Sequence, residues 1–188
     1  MDPHLSLHTD GEISLGMARK LHRALCQSQN EMPLIIAENI ALGEGPTMGP
    51  GSIHTPYKDL KKIILRTSKS LLRQGVKKVI FMTFHGGPMH NMAIHDGINF
   101  LQANGVQAIN PFNLILHKML NFTPENYEGI RPFLPETCDK DQVINQFNSD
   151  FHAGIFETSL CLYLCPETVG YNYKNVPHCP PIVSIDFS

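Results

Sequence analysis

Apolar residues recur along the chain with helical spacing in several stretches. One apolar stripe repeats every four residues and is formed by Ile13, Met17, Leu21 and Leu25. It predicts a helix from about residue 12 to 28. A second stripe, formed by Leu60, Ile64, Leu71 and Leu72, predicts a helix that ends at Gly75. A third predicts a helix from about Met89 to Gly105.

Short apolar runs between these stripes predict β-strands. They lie at Pro33 to Ala37, at Val79 to Met82, and in VQAINPF, where Pro111 closes the run. Strands and helices that alternate with short connections are typical of an α/β fold. We therefore expect a mainly parallel sheet with helices on both faces, in three α/β/α layers.

The remaining segments are less regular. The glycine- and proline-rich stretch from Gly43 to Ser52 predicts an irregular loop, and residues 121–137 predict a surface excursion. A helix should begin near Asp139, followed by an irregular turn at SDFHAG and a largely buried helix at FETSLCLYLC. The ending, NVPHCPPIVSIDFS, has no helical periodicity.

Length and charge limit the classes of protein. A chain of 188 residues fits one domain, so we predict a single domain over residues 1–188. The formal net charge is -2, with no uninterrupted block of like charge, so nucleic acid and anionic membranes are not expected partners. No apolar run reaches the roughly 20 residues of a membrane span, and the first residues do not resemble a secretory signal. We expect a cytoplasmic protein.

Cysteine and histidine are the residues most relevant to chemistry. The five cysteines have no CxxC spacing and are interpreted as buried free thiols. Histidine is common in metal sites and in acid-base catalysis near neutral pH. Most of the ten histidines here are interpreted as surface or satisfied core residues.

His85 stands out because it directly follows the apolar run VIFMTF. Open α/β sheets bind ligands beyond the carboxyl ends of their strands. Gly86 and Gly87 would let the backbone approach a ligand, and N–H groups after such a turn can stabilise an oxyanion. The alternative is an ordinary strand-to-helix turn with a solvent-facing histidine.

Two further positions carry candidate chemistry. Asp10 fits either a bridging carboxylate ligand or a helix N-cap. His152 and Glu157 are five positions apart in DFHAGIFET, and a turn at Gly154 would bring them together. A histidine beside a carboxylate supplies a proton carrier and a metal ligand, although a structural ion pair fits the same spacing.

Four segments in order resemble the creatininase (creatinine amidohydrolase) family. They are HLSLHTD at His4 to Asp10, PGSIHTPYKDL at Pro50 to Leu60, FHGG at Phe84 to Gly87, and DFHAGIFETSLCL at Asp150 to Leu162. The resemblance covers nearly the whole chain. It implies the family's three-layer fold and a metal-dependent amidohydrolase that cleaves a small cyclic or linear amide C–N bond with metal-activated water.

The resemblance also implies roles for particular residues. Asp10 matches the family's bridging aspartate, His85 a metal-bound histidine, and Glu157 a glutamate near the metals. His152 matches the histidine that assists proton transfer, so His152 and Glu157 are the expected catalytic pair. The metal would be zinc, manganese or iron, which suit mixed nitrogen and oxygen ligands. Relatives commonly form hexamers, so a homo-oligomer is expected.

The sequence departs from the family pattern at several positions. In the family motif E-x-H-G-x-H-L-P-L, the first histidine falls on Met1, and the glutamate would precede it. The chain is also expected to be short at both ends. With two ligands missing, we expect one weakly held metal ion or none. The alternative function is therefore a catalytically degenerate relative, retained for ligand binding or assembly. A flavodoxin-like nucleotide-binding protein is disfavoured because no GxGxxG or P-loop motif follows a predicted strand.

Overall fold

A computed structural model of the chain describes residues 4–28, 35–37, 39–46, 51–119, 121–147 and 152–176. The helices and strands follow one another as α1 (Thr9–Ser28), α2 (Tyr57–Arg73), β1 (Lys78–Ile80), α3 (Pro88–Ala103), β2 (Gln107–Ile109), α4 (Pro111–Met119), a 3-10 helix (Pro124–Phe133), α5 (Lys140–Gln146), α6 (Ile155–Leu164), and two short 3-10 turns (Pro166–Thr168 and Tyr173–Asn175). Residues 7–116 and residues 1–6 with 117–188 form two compact units, which we call the first and the second unit.

The three helices predicted from apolar stripes are present in the first unit. α1 begins at Thr9, so Asp10 lies within its first turn. α2 ends at Arg73, and the chain then passes through Gly75 with a φ of 79°, a conformation that favours glycine. α3 begins at Pro88. Proline is favoured at the first helical position, because a backbone N–H there would have no partner within the helix.

Close packing of α2 on α3 forms the core of this unit. Leu60 and Ile64 of α2 are buried beside Ala93 of α3. Gly97 allows the two helices to approach, since a β-carbon built there would lie 2.5 Å from Ile64 Cγ2. The C-terminal part of α3 packs against the strands through a cluster of Ile94, Ile98, Leu101, Val106 and Ala108.

The sheet is smaller than the sequence predicted. β1 and β2 pair in parallel, with Val79 opposite Ala108. Ile80 and Ile109 remain 40% and 46% exposed, so the described residues do not cover the second face of the sheet. Residues 35–37 of the strand predicted at Pro33 to Ala37 are not a strand, and the first two positions lie outside the described residues. The structure is compatible with α/β, but the three-layer arrangement is not confirmed.

The second unit is built around aromatic side chains. Tyr127 packs against Phe122 and Phe147, and Phe147 in turn contacts Phe156 of α6. Asp139 caps α5 by accepting a hydrogen bond from the backbone N–H of Gln142, as expected for a helix beginning there.

Two predictions about burial need correction, those for α6 and for the cysteines. α6 is not largely buried, since Leu162 and Tyr163 are exposed. The segment 121–137 lies mostly at the surface as predicted, and it contains a 3-10 helix. Cys161 and Cys165 are buried free thiols as expected, but Cys26 is exposed. Cys179 and residues 177–188, which include most of the non-helical ending, lie outside the described residues. No described helix has the length and apolar character needed to cross a membrane.

Candidate metal and catalytic site

The turn between β1 and α3 carries His85. Thr83 and Phe84 before it are buried, and the backbone N–H of His85 donates to the Thr83 hydroxyl at 3.2 Å. Gly87 permits the next step of the chain, because a β-carbon there would lie 2.6 Å from His85 Nε2 and 3.0 Å from the carbonyl oxygen of Glu44. The turn therefore favours glycine at position 87.

Both ring nitrogens of His85 lie within hydrogen-bond distance of acceptors. Nδ1 lies 3.0 Å from Asp10 Oδ2, and Nε2 donates to the carbonyl oxygen of Glu44 at 2.7 Å. The hydrogen bond to Asp10 is the main cause that raises the pKa of His85, against the opposing effect of burial. Asp10 and His85, predicted from separate motifs, thus lie side by side in the first unit.

Two asparagines hold the glycine turn in place. Asn91 of α3 donates through its side-chain amide to the carbonyl oxygens of His85 and Gly87, at 2.9 and 3.0 Å. The amide of Asn110, directly after β2, reaches the side-chain oxygen of Asn91 at 3.4 Å. Because Asn91 contacts the two carbonyls, it fixes the backbone on either side of Gly86.

His90 is a second histidine beside this pair. Its ring lies edge-on to that of His85, with 4.9 Å between the ring centres. His90 Nε2 lies 3.3 Å from the Thr83 hydroxyl, whereas its buried Nδ1 has no hydrogen-bond partner. Burial lowers the pKa of His90 to about 4, with repulsion from His85 as the next cause. At neutral pH this side chain is therefore an uncharged imidazole.

Glu157 is positioned by an unusual turn in the second unit. Its carboxylate Oε2 accepts the backbone N–H of Ala153 at 2.6 Å, and the side chain is 8% exposed. Ala153 has a φ of 54°, which is uncommon for a residue with a β-carbon. The left-handed position is therefore Ala153, whereas Gly154, with a φ of -81°, is the N-cap of α6.

A chain of hydrogen bonds supports that turn. The hydroxyl of Thr158 donates to the carbonyl oxygen of Ala153 at 3.2 Å, and His4 Nε2 lies 2.9 Å from the same hydroxyl. His4 is buried, and its Nδ1 has no hydrogen-bond partner. The side chain of His152 is exposed and makes no hydrogen bond to another described residue. The turn thus fixes the Glu157 carboxylate and leaves His152 in solvent.

The sequence matches the model of a known family over most of its length. The family model described as creatinine amidohydrolase, Creatininase, matches residues 2–182. The chain belongs to the creatininase family. No curated protein and no solved structure matches the chain significantly. The resemblance inferred from the sequence motifs is therefore confirmed, and family membership suggests amidohydrolase activity.

Creatininase-family enzymes are generally metal-dependent, and the distance between Asp10 and His85 bears on whether this pair fits a metal ion. Zinc takes nitrogen and oxygen ligands at about 2.0 to 2.2 Å in a tetrahedral arrangement, so two neighbouring ligands lie about 3.4 Å apart. His85 Nδ1 and Asp10 Oδ2 lie 3.0 Å apart, somewhat closer than two zinc ligands. The hydrogen bond from Nε2 to Glu44 is the second contact that a metal-bound histidine usually makes.

This fit is limited to two adjacent ligands. Within the described part of the chain, no group of three or more His, Cys, Asp or Glu side chains could hold a metal ion. A catalytic zinc site normally has about three protein ligands. Among the described residues, Asp10 and His85 therefore form a pair and not a complete three-ligand site.

Sequence reasoning missed several residues that surround the predicted ones. His90 was interpreted as a surface or satisfied core histidine, but it is buried beside His85. Its position five residues after His85, in the first turn of a helix, was the available signal. Thr83 and the carbonyl of Glu44 gave no signal, because a backbone oxygen and a lone threonine belong to no recognisable motif.

Proposed function

We propose that this chain is a creatininase-type amidohydrolase that binds one divalent ion through Asp10 and His85. The contact between Asp10 Oδ2 and His85 Nδ1, together with the hydrogen bond from Nε2 to Glu44, carries the proposal. The substrate class is a small cyclic or linear amide. The mixed nitrogen and oxygen donors suit zinc, manganese or iron.

Each side chain of the pair has a distinct role in holding the ion. A bound ion would supply a Lewis acid and lower the pKa of a coordinated water. Asp10 supplies negative charge, and Glu44 fixes the orientation of the His85 ring through its carbonyl oxygen. His85 must lose the Nδ1 proton before it can bind, so the affinity for metal falls as the pH falls.

The proposed proton chemistry rests on His152 and Glu157, the pair that the family resemblance implies. Amide hydrolysis adds the oxygen of water to the carbonyl carbon, breaks the C–N bond and delivers a proton to the leaving nitrogen. His152 is exposed, so it can exchange that proton with solvent and serve as the carrier. Glu157, whose carboxylate accepts the backbone N–H of Ala153, is the proposed partner of His152 in the catalytic pair.

Metal content is the first test of this proposal. Purified wild-type protein and the Asp10→Ala variant would be dialysed against trace zinc and manganese and then analysed for bound metal. We expect about one ion per chain in the wild type, and at least a tenfold loss in the variant, because Asp10 provides one of few charged ligands. Glu12→Ala, in the same helical turn, is the matched control and should retain the ion.

A positive result would justify a screen of small amides. Wild-type turnover that is removed by a chelator, restored by added metal and lost in Asp10→Ala would support the hydrolase. Equal metal content in wild type and Asp10→Ala would contradict the assignment of Asp10.

A second candidate function is a degenerate family member retained for ligand binding or assembly. It is favoured by the finding that the described residues include no group of three metal-ligating side chains. Absence of bound metal in wild type and variant alike, combined with no amide turnover, would support this alternative over the hydrolase. As a further proposal, either form would assemble as a homo-oligomer.

A further inference from the structure

Positive charge is concentrated on the outward side of α2. The helix carries six basic residues and a single acidic one, Asp59. Positions three and four apart lie on the same side of a helix, so five of the six cations surround Leu65 on one surface. We call this surface the basic face; it lines a shallow depression and consists of Lys58, Lys61, Lys62, Leu65, Arg66 and Lys69.

Three cations of the basic face are free to bind a partner. Lys61 forms an ion pair with Asp96 at 3.0 Å, and Lys69 lies over the ring of Phe100. By contrast, Lys58, Lys62 and Arg66 are exposed and form no hydrogen bond or ion pair with another described residue. These three follow one another at four-residue intervals, about 6 Å apart along the helix axis.

The second unit carries a net negative charge, opposite to that of the first unit. Residues 7–116 contain eleven Lys and Arg against seven Asp and Glu, whereas residues 1–6 with 117–188 contain four against ten. Much of this negative charge lies on one exposed segment of the second unit, residues 125–141. We call it the acidic segment; its carboxylates are Glu125, Glu128, Glu136, Asp139 and Asp141.

We propose that the basic face of one chain binds the acidic segment of a second copy of the chain. The two surfaces are complementary in charge, and the acidic segment retains a net negative charge after its ion pairs with Arg131 and Lys140. Because the two surfaces differ, the contact is heterologous, and repetition of it would build a ring or a longer assembly. This inference does not depend on the hydrolase activity.

The composition of the basic face favours a protein partner over other polyanions. Single-stranded nucleic acid is commonly bound on aromatic side chains that stack with bases, and the basic face contains none. A helix on a membrane surface inserts its apolar side into the lipid, whereas Leu60 and Ile64 of α2 are buried against α3. Partly buried Leu65, at the centre of the cations, instead offers an apolar contact to a protein surface.

Charge reversal with complementation tests this interface. One variant carries Lys62→Glu and Arg66→Glu, and a second carries Glu125→Lys and Glu136→Lys. Mass would be measured by sedimentation in low salt at micromolar concentrations. We expect the wild type to self-associate, each variant alone to associate at least tenfold more weakly, and an equimolar mixture of the two to associate again. In either variant alone, the substituted side chains meet charges of their own sign on the partner surface and repel them. In the mixture, the reversed basic face of one variant meets the reversed acidic segment of the other, and the substituted side chains are again opposite in charge.

A matched control separates this effect from general changes in charge. Arg19→Glu with Arg23→Glu alters two exposed basic residues with the same spacing on α1, and it should leave self-association unchanged. Circular dichroism would establish that each variant is folded. A monomeric wild type, unchanged association in the basic-face variant, or failure of the mixture to associate would each overturn the proposal. Binding of the monomer to DNA or to anionic vesicles instead would identify a different occupant.

Discussion

At the scale of single residues, the two histidines of the candidate site have opposite electrostatic environments. His85 faces the carboxylate of Asp10, which raises its pKa, whereas burial lowers the pKa of His90 to about 4. Two adjacent imidazoles are thus biased toward different protonation states. The sequence predicted Asp10 and His85 because both belong to family motifs. The sequence could not predict the role of His90, because the surroundings of this side chain, Thr83 and His85, form only in the folded protein.

His90 should make the metal-free protein less stable in acid. Its folded pKa is about 4 and its ordinary value is 6.5, so the unfolded chain binds more protons between these values. The stabilising contribution is present above pH 6.5 and is lost as the pH falls toward 4. When the pH of chelator-treated protein is lowered from 7 to 5, we expect the free energy of unfolding to fall by about 2 kcal/mol more in the wild type than in His90→Gln.

Urea denaturation at the two pH values measures this difference. The contribution of His85, whose pKa is raised, is present below its ordinary pKa of 6.5 and is lost as the pH rises, and it is largely common to both proteins. Equal pH dependence in the wild type and in His90→Gln would contradict the buried, neutral state assigned to His90.

At the scale of elements, the apolar stripes located α1, α2 and α3 because the buried sides of these helices follow a regular spacing. Other elements were missed for physical reasons. α4 begins with Pro111, which we interpreted as the end of a strand, although proline is also favoured at the first position of a helix. Residues 35–37 have the composition of a strand but no pairing partner among the described residues, since pairing depends on tertiary structure.

The contact between α2 and α3 provides a test of packing. In Gly97→Ala, the new β-carbon would lie 2.5 Å from Ile64 Cγ2 and 3.1 Å from Ser68 Oγ, so the helices must move apart. Overpacking of a core costs about 1 to 3 kcal/mol, partly offset by the higher helix propensity of alanine. We therefore expect the free energy of unfolding to fall by about 1 to 2 kcal/mol in urea denaturation.

Gly129→Ala is the control for this substitution. A β-carbon at Gly129 meets no atom within 4 Å, so its effect should stay within about 0.5 kcal/mol. An equal response of the two variants would show that the close approach at Gly97 does not limit the packing of these helices.

At the scale of the whole molecule, the formal charge of -2 conceals a separation of charge between the two units. The linear sequence shows no block of like charge because the cations of α2 alternate with apolar residues. Only the helical arrangement gathers them on one side, so the basic face was not predicted. Association through it should weaken strongly as salt is added, since the Debye length falls from about 10 Å at 0.1 M to about 3 Å at 1 M.

The contact between Asp10 and His85 joins positions 75 residues apart. Four consecutive elements, α2, β1, α3 and β2, interact mainly with their neighbours in sequence. Bringing Asp10 to His85 closes a longer loop, so it costs more chain entropy than assembling these four elements. We expect hydrogen exchange to show slower exchange for α3 and β2 amides than for the first turns of α1. Although α1 is synthesised before them, its docking would be a late step of folding, and the protein would acquire its core before the contact between Asp10 and His85.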